Sequence, residues 1–134
     1  MPLVRIDLNS GRTPGQLQDI STVIHRAIFE TYAIPERDVF HIITEHSVGQ
    51  LRIQDAGLGF DRTENVVMIQ IFTQAGRNQT AKTALFDRIA SELSAVGVDG
   101  ADVFISYVEN GPGDWSFGFG RAQYVTGELS VPVP

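Results

Sequence analysis

The chain has 134 residues, 43% hydrophobic and 19% charged, with sixteen acidic residues against ten basic ones and a net charge of −6. This balance describes one globular domain, or two small fused units, with enough chain for a core. It excludes a disordered segment and argues against a nucleic-acid binder, which would show a basic patch. Cysteine is absent, which removes disulfides, a thiol nucleophile and cysteine-ligated metal. No apolar run approaches the ~20 residues of a membrane span and no signal-peptide pattern opens the chain, so a cytoplasmic protein is expected.

Val4, Ile6 and Leu8 alternate with Leu3, Arg5 and Asp7, the period-two pattern of a half-buried strand. Pro2 stands directly behind Met1. If Met1 is removed, the Pro2 nitrogen becomes a secondary amine fixed on a strand end, able to exchange protons or condense with a carbonyl. The plainer reading is a proline that starts a strand where no ladder donor is needed. After a turn at Asn9-Ser10-Gly11-Arg12, Thr13-Pro14-Gly15-Gln16 forms a helix start: Thr13 caps, Pro14 suits the first helical position and Gln16 closes a capping box. Leu17, Ile20, Ile24, Ala27 and Ile28 give the helix a buried face, and Ile34-Pro35 ends it near Tyr32. Pro35-Glu36-Arg37-Asp38 is a turn, and residues 39–45 are a second strand.

Leu51-Arg52-Ile53 is expected to be a short strand, and residues 55–60 a glycine-rich turn. Residues 66–72 are the most apolar strand, expected to be central. A turn at 74–78 leads to a second amphipathic helix marked by Ala81, Ala84, Leu85, Ile89, Leu93 and Val96 and ended by Gly97. Residues 102–109 are a further strand. In the tail, residues 110–114 turn, Tyr124-Val125-Thr126 is expected to be extended, and residues 131–134 form an arm suited to lie against a neighbouring subunit.

The two halves repeat each other at a spacing of about 65 residues. Gly11-Arg12 corresponds to Gly76-Arg77, Asp38-Val39-Phe40 to Asp102-Val103-Phe104, and Glu45 to Glu109. One α+β domain over residues 1–134 follows: a tandem β-α-β repeat, unit one at 2–46 and unit two at 66–109, with a tail at 110–134. The expected architecture is a four-stranded sheet with both helices on one face and parallel strands within each unit. The other face carries enough apolar residues to require burial by a partner, so a closed homo-oligomer is expected. Pro2 falls on Val67, which has no free amine, so only the first half can use that chemistry.

A strand opening at Met-Pro, a duplicated β-α-β unit and an arginine after the second unit's first strand together resemble the tautomerase superfamily. Within it the chain is similar to the malonate semialdehyde decarboxylase family. The matching stretches are Pro2–Leu8, Pro35–Asp38, residues 55–60, residues 114–122 and Thr126-Gly127-Glu128-Leu129. The resemblance implies a trimer, no cofactor and no metal. It also implies Pro2 as catalytic amine, Asp38 as its partner acid, Arg77 as carboxylate binder, and Trp115, Phe117 and Leu129 as an apolar wall. The loop after the third strand carries one arginine where some family decarboxylases have two. Locally, Arg77 also reads as a solvated residue at a helix start, Asp38 as the end of a turn, and the aromatics as core or subunit contact. His25, His41 and His46 lack metal-ligand spacing.

Three functions are open at this level. The first is cofactor-independent decarboxylation of malonate semialdehyde or a similar small 3-oxo acid, with side hydratase activity. The second is a keto–enol tautomerase, or a hydratase or dehalogenase of small unsaturated acids. The third is an oligomeric binding protein with an inactive site. Neither nucleic acid nor membrane is an expected partner.

Overall fold

A computed structural model describes residues 1–131. Residues 132–134, most of the expected arm, lie outside the described residues. In chain order the elements are β1 (Leu3–Asn9), α1 (Pro14–Tyr32), β2 (Phe40–His46), β3 (Val67–Gln74), α2 (Gln79–Ser94), β4 (Val103–Asn110) and the short α3 (Gln123–Thr126). Single 3-10 turns at Gly100–Asp102 and Pro112–Asp114 lead into and out of β4.

The local signals act as their chemistry dictates. Thr13 Oγ1 accepts from the Gln16 N–H, and Gln16 reaches back to the Thr13 N–H, the reciprocal capping box. Gly97 takes a left-handed conformation, φ 91°. The Val98 N–H then bonds the Leu93 carbonyl at 3.0 Å and the Gly97 N–H bonds that of Ser94 at 3.2 Å, which satisfies the end of α2.

The sheet runs β2-β1-β3-β4. Strands are parallel within each unit, and the two units join antiparallel through β1 and β3, from Leu3 opposite Phe72 to Leu8 opposite Val67. Duplication extends to individual bonds. The Ser10 N–H bonds the His46 carbonyl at 2.8 Å, and the Ala75 N–H bonds that of Asn110 at 2.7 Å. The core lies between sheet and helices. Val4, Ile6, Leu8, Val67, Ile69 and Ile71 pack on Ile24, Ile28, Leu85, Ile89 and Leu93, all fully buried. Each such side chain contributes about 1.5–3 kcal/mol of transfer free energy. On the opposite face Leu3 is flanked in register by Phe40 and Phe72, and Phe40, Ile42 and Val108 are exposed.

Two expected strands are absent. Residues 51–53 are irregular, because no strand among the described residues pairs with them and the segment is held through Arg62, whose Nε donates to the Gln54 carbonyl at 2.9 Å. Residues 124–126 are helical: the Gln123 carboxamide accepts from the Phe117 N–H and donates to the Gly118 carbonyl, which curls the tail into a turn. Among the described residues, no helix is long and apolar enough to cross a membrane.

Candidate active site

The strand order gathers the candidate residues at one end of the sheet. Because β1 and β2 are parallel, both start there, with Leu3 opposite Phe40, and the preceding residues Pro2 and Asp38 lie nearby. Because β3 is antiparallel to β1, its final turn arrives at the same end and carries Arg77. The Asp38 N–H donates to the Pro35 carbonyl at 3.0 Å, and this turn sets the carboxylate.

The Met1 amine lies 3.7 Å from Asp38 Oδ2. That is an ion-pair distance, longer than a hydrogen bond. Asp38 is 3% exposed, and among the described residues neither of its oxygens has a hydrogen-bond partner. Burial lowers the pKa of the amine; Asp38 opposes the shift and the Arg77 charge adds to it. Burial raises the Asp38 pKa, against the pull of the amine, His25 and Arg77. Both members of the pair are thus pushed toward their neutral forms by desolvation.

A cavity of about 210 Å³ adjoins the pair, lined by Met1, Pro35, Arg37, Asp38, Tyr124, Leu129 and Ser130. Its wall is mainly apolar. Burial and the nearby Asp38 charge push the Tyr124 phenol up to about 12, with Arg77 opposing. Tyr124 therefore stays a neutral hydroxyl at ordinary pH. The Arg77 guanidinium sits 4.4 Å from the Tyr32 ring centroid, a cation–π contact, and one of its N–H groups reaches Thr73 Oγ1 at 3.4 Å. The Tyr32 hydroxyl donates to that of Tyr107 at 3.2 Å, which fixes the ring beneath the guanidinium.

Pro2, Asp38, Arg77 and Leu129 thus share one end of the molecule. Trp115 and Phe117 line a different cavity, of about 500 Å³, with Leu3, Phe40 and Phe72 on the open sheet face. They stack at 5.8 Å and 9°, and Trp115 Nε1 donates to Asn110 Oδ1 at 3.0 Å. Phe117 meets Tyr124 edge-on at 5.4 Å, so Tyr124 links the two walls. Sequence reasoning missed Tyr124 and Tyr32. A tyrosine in the last turn of a helix and another in an irregular tail carry no local signal for either contact. Among the described residues, no group of three or more histidines and carboxylates is arranged for a metal ion.

The repeat builds the opposite end differently. Asp102 precedes β4 as Asp38 precedes β2, and its N–H bonds the Asp99 carbonyl at 2.9 Å in the equivalent turn. Both Asp102 oxygens are occupied: the Thr63 N–H donates to one at 2.7 Å and the Thr63 hydroxyl to the other at 2.6 Å.

Comparison with known proteins agrees with this geometry. Residues 2–61 and residues 38–118 each match a family described as tautomerase enzymes. A curated relative, the probable tautomerase YrdN of Bacillus subtilis (strain 168), is 38% identical over 96% of this chain and 100% of its own. The crystal structure of FG41 malonate semialdehyde decarboxylase inhibited by 3-bromopropiolate is 52% identical, with a TM-score of 0.95 over 97% of this chain and 99% of that one. A malonate semialdehyde decarboxylase solved in wild-type, mutant and inactivated forms, and described as having decarboxylase and hydratase activities, is 31% identical with a TM-score of 0.91 over 95% and 98%. The duplicated β-α-β frame, the buried start of β1 and these likenesses lead to one assignment: this chain belongs to the tautomerase family, with malonate semialdehyde decarboxylases among its near relatives.

Proposed function

We propose that this enzyme decarboxylates malonate semialdehyde, or a similar small 3-oxo acid, without a cofactor, and that malonate semialdehyde yields acetaldehyde and carbon dioxide. The observation that carries the reading is the buried terminal amine facing Asp38, whose oxygens have no hydrogen-bond partner among the described residues, beside a small apolar cavity. In this reading Met1 is removed, which frees the Pro2 nitrogen and widens the cavity by one side chain. The substrate carboxylate pairs with Arg77, held on the Tyr32 ring. Protonated Pro2 polarises the 3-carbonyl by a hydrogen bond; neutral Pro2 instead adds to it and loses water to give an iminium. Either sink accepts the electron pair of the bond to carbon dioxide, and proton return to carbon 2 completes acetaldehyde, with hydrolysis in the iminium case. Leu129, Tyr124 and, behind Tyr124, Phe117 and Trp115 keep the departing carboxylate dry, which favours neutral carbon dioxide. Asp38 holds the amine and can hold a water, so hydratase activity fits the same site. The apolar sheet face around Leu3, Phe40 and Phe72 supports a closed homo-oligomer, a trimer as the resemblance implies.

A second reading, proton transfer as a keto–enol tautomerase, is favoured by one observation. Burial lowers the pKa of the terminal amine, and a neutral amine is the form a general base requires. The mature protein is incubated with malonate semialdehyde and assayed for acetaldehyde. Formation at enzymic rates that fall as pH rises through the Pro2 pKa supports the acid role. No acetaldehyde, with turnover of enol substrates that rises over that range, would sink the decarboxylase reading in favour of the tautomerase. Borohydride trapping of a Pro2 adduct tests for the iminium.

A further inference from the structure

His25 stands half-buried on α1. Its Nε2 lies 2.9 Å from the Glu36 carbonyl, in the turn that leads to Asp38. A carbonyl can only accept, so Nε2 carries the proton, and Nδ1 is the one ring nitrogen that can take another. Nδ1 is buried and has no hydrogen-bond partner among the described residues. It shares that condition with both oxygens of Asp38, two residues along the chain from Glu36. Three buried acceptors thus lie around one turn with no donor among the described residues, an uncommon concentration in a folded protein.

A proton on Nδ1 turns one of the three into a donor. It also sets a positive charge near the carboxylate, which favours the ionised form. The other charged and titratable groups around Asp38 are the terminal amine, Arg77 and the Tyr124 phenol. A second imidazole, His41 from β2, meets the His25 ring edge-on at 6.2 Å. Burial, with His25 adding, lowers the His41 pKa to about 4, so His41 stays neutral over the range in which an imidazole ordinarily takes charge. The repeat marks the arrangement as particular to this end. At the spacing of about 65 residues His25 corresponds to Ala90, and Asp102 draws on Thr63 instead.

We infer that His25 is a positioning residue for the candidate site: its Nε2–H pins the turn that aims Asp38 at the terminal amine, and a proton at its Nδ1 holds Asp38 as the carboxylate. His25 is not in the wall of the cavity, so it acts through Asp38 and not on a bound molecule. The kinetic consequence rests on the decarboxylase reading; the effect on Asp38 does not.

The test follows the Asp38 carboxyl carbon by NMR in mature protein labelled at aspartate, across about pH 4–8, with Asp38→Asn to assign the signal. His25→Gln keeps an N–H for the Glu36 carbonyl and cannot take charge. Its Asp38 signal should titrate at higher pH than in the natural chain. His25→Phe loses the hydrogen bond as well. Its Asp38 amide hydrogen, bonded to the Pro35 carbonyl, should exchange about tenfold faster or more, an effect that His25→Gln should spare. In acetaldehyde formation, kcat at about pH 8 should fall about tenfold in His25→Phe. His25→Gln should restore most of that rate and then lose it at higher pH than the natural chain does as the solution is acidified. The inference is overturned by an Asp38 titration that His25→Gln leaves unmoved, or by unchanged exchange of the Asp38 amide in a folded His25→Phe. A natural chain that makes no acetaldehyde would remove the decarboxylase reading, and both NMR readouts would still decide this one. If His25→Phe does not fold, the His25→Gln titration decides.

Discussion

Asp38 and Asp102 occupy equivalent turns, are almost equally buried at 3% and 2% exposure, and meet opposite fates. Asp102 receives two short hydrogen bonds from a single residue, Thr63. Asp38 has none among the described residues and faces a terminal amine across 3.7 Å. The frame is the same at both ends; what differs is the chain that arrives there. At one end it is the Met1–Pro2 segment, whose amine faces Asp38. At the other it is the linker between the units, which brings a hydroxyl and an amide that close the carboxylate off. A buried carboxylate satisfied by two donors stabilises the fold, whereas one without donors costs stability; in the proposed function that cost leaves Asp38 free to act on the amine.

The contrast is open to experiment, and the largest effect should come from the amine. Retaining Met1, or Pro2→Ala, should lower acetaldehyde formation by about 10²-fold or more, the scale of a positioned proton donor. Arg12→Gln at the opposite end should leave it within about twofold. Equal losses at both ends would erase the functional distinction between them.

Next come the two aspartates, which should separate activity from stability. Asp38→Asn should cut turnover by about 10²-fold while leaving urea stability at pH 7 unchanged or raised. The sign follows from burial. The Asp38 pKa is raised in the folded chain, so its contribution is favourable at low pH and is lost as pH rises through that raised value. The amide removes that loss. Asp102→Asn should do the reverse, with turnover retained and about 1–3 kcal/mol lost in urea unfolding, because the new amide group confronts one of the two Thr63 donors.

A smaller effect separates the two helix–sheet seams. In the first half, His41 accepts or donates a 2.8 Å hydrogen bond with Ser21; the counterpart positions of the second half are the apolar Phe86 and Ile105. Burial, with His25 adding, lowers the His41 pKa to about 4. The unfolded chain then binds the proton first, so stability present above about 6.5 is lost as pH falls toward 4, by up to about 3 kcal/mol. His41→Gln should flatten that acid limb in unfolding curves taken across the window. The least effect is expected from Tyr32→Leu. It removes the platform under Arg77 and should raise KM by about three- to tenfold with little change in kcat, whereas Tyr32→Phe, which keeps the ring, should restore KM.

The frame was legible because its signals are local. Thr13 with Gln16, Gly97 after α2, and apolar spacing on both helices fixed the elements, and the recurrence of Gly-Arg and Asp-Val-Phe fixed their pairing. Residues 51–53 misled because alternation alone does not supply a strand to pair with. Residues 124–126 misled because a side chain, Gln123, and not propensity, shapes them. In the candidate site, the gathering of the charged residues was legible and that of the walls less so. Asp38 and Arg77 reach one end through strand direction, which the repeat implies. Trp115 and Phe117, grouped with Leu129 in the sequence, are separated from it by Tyr124, a division that only tertiary contact creates.

The antiparallel seam between β1 and β3 has a quantitative consequence. Two unlinked half-length chains joined along that seam would bring two free amino ends to one sheet; covalent fusion leaves one. Joining the units thus leaves one terminal nitrogen per sheet, and lets the two ends of that sheet differ.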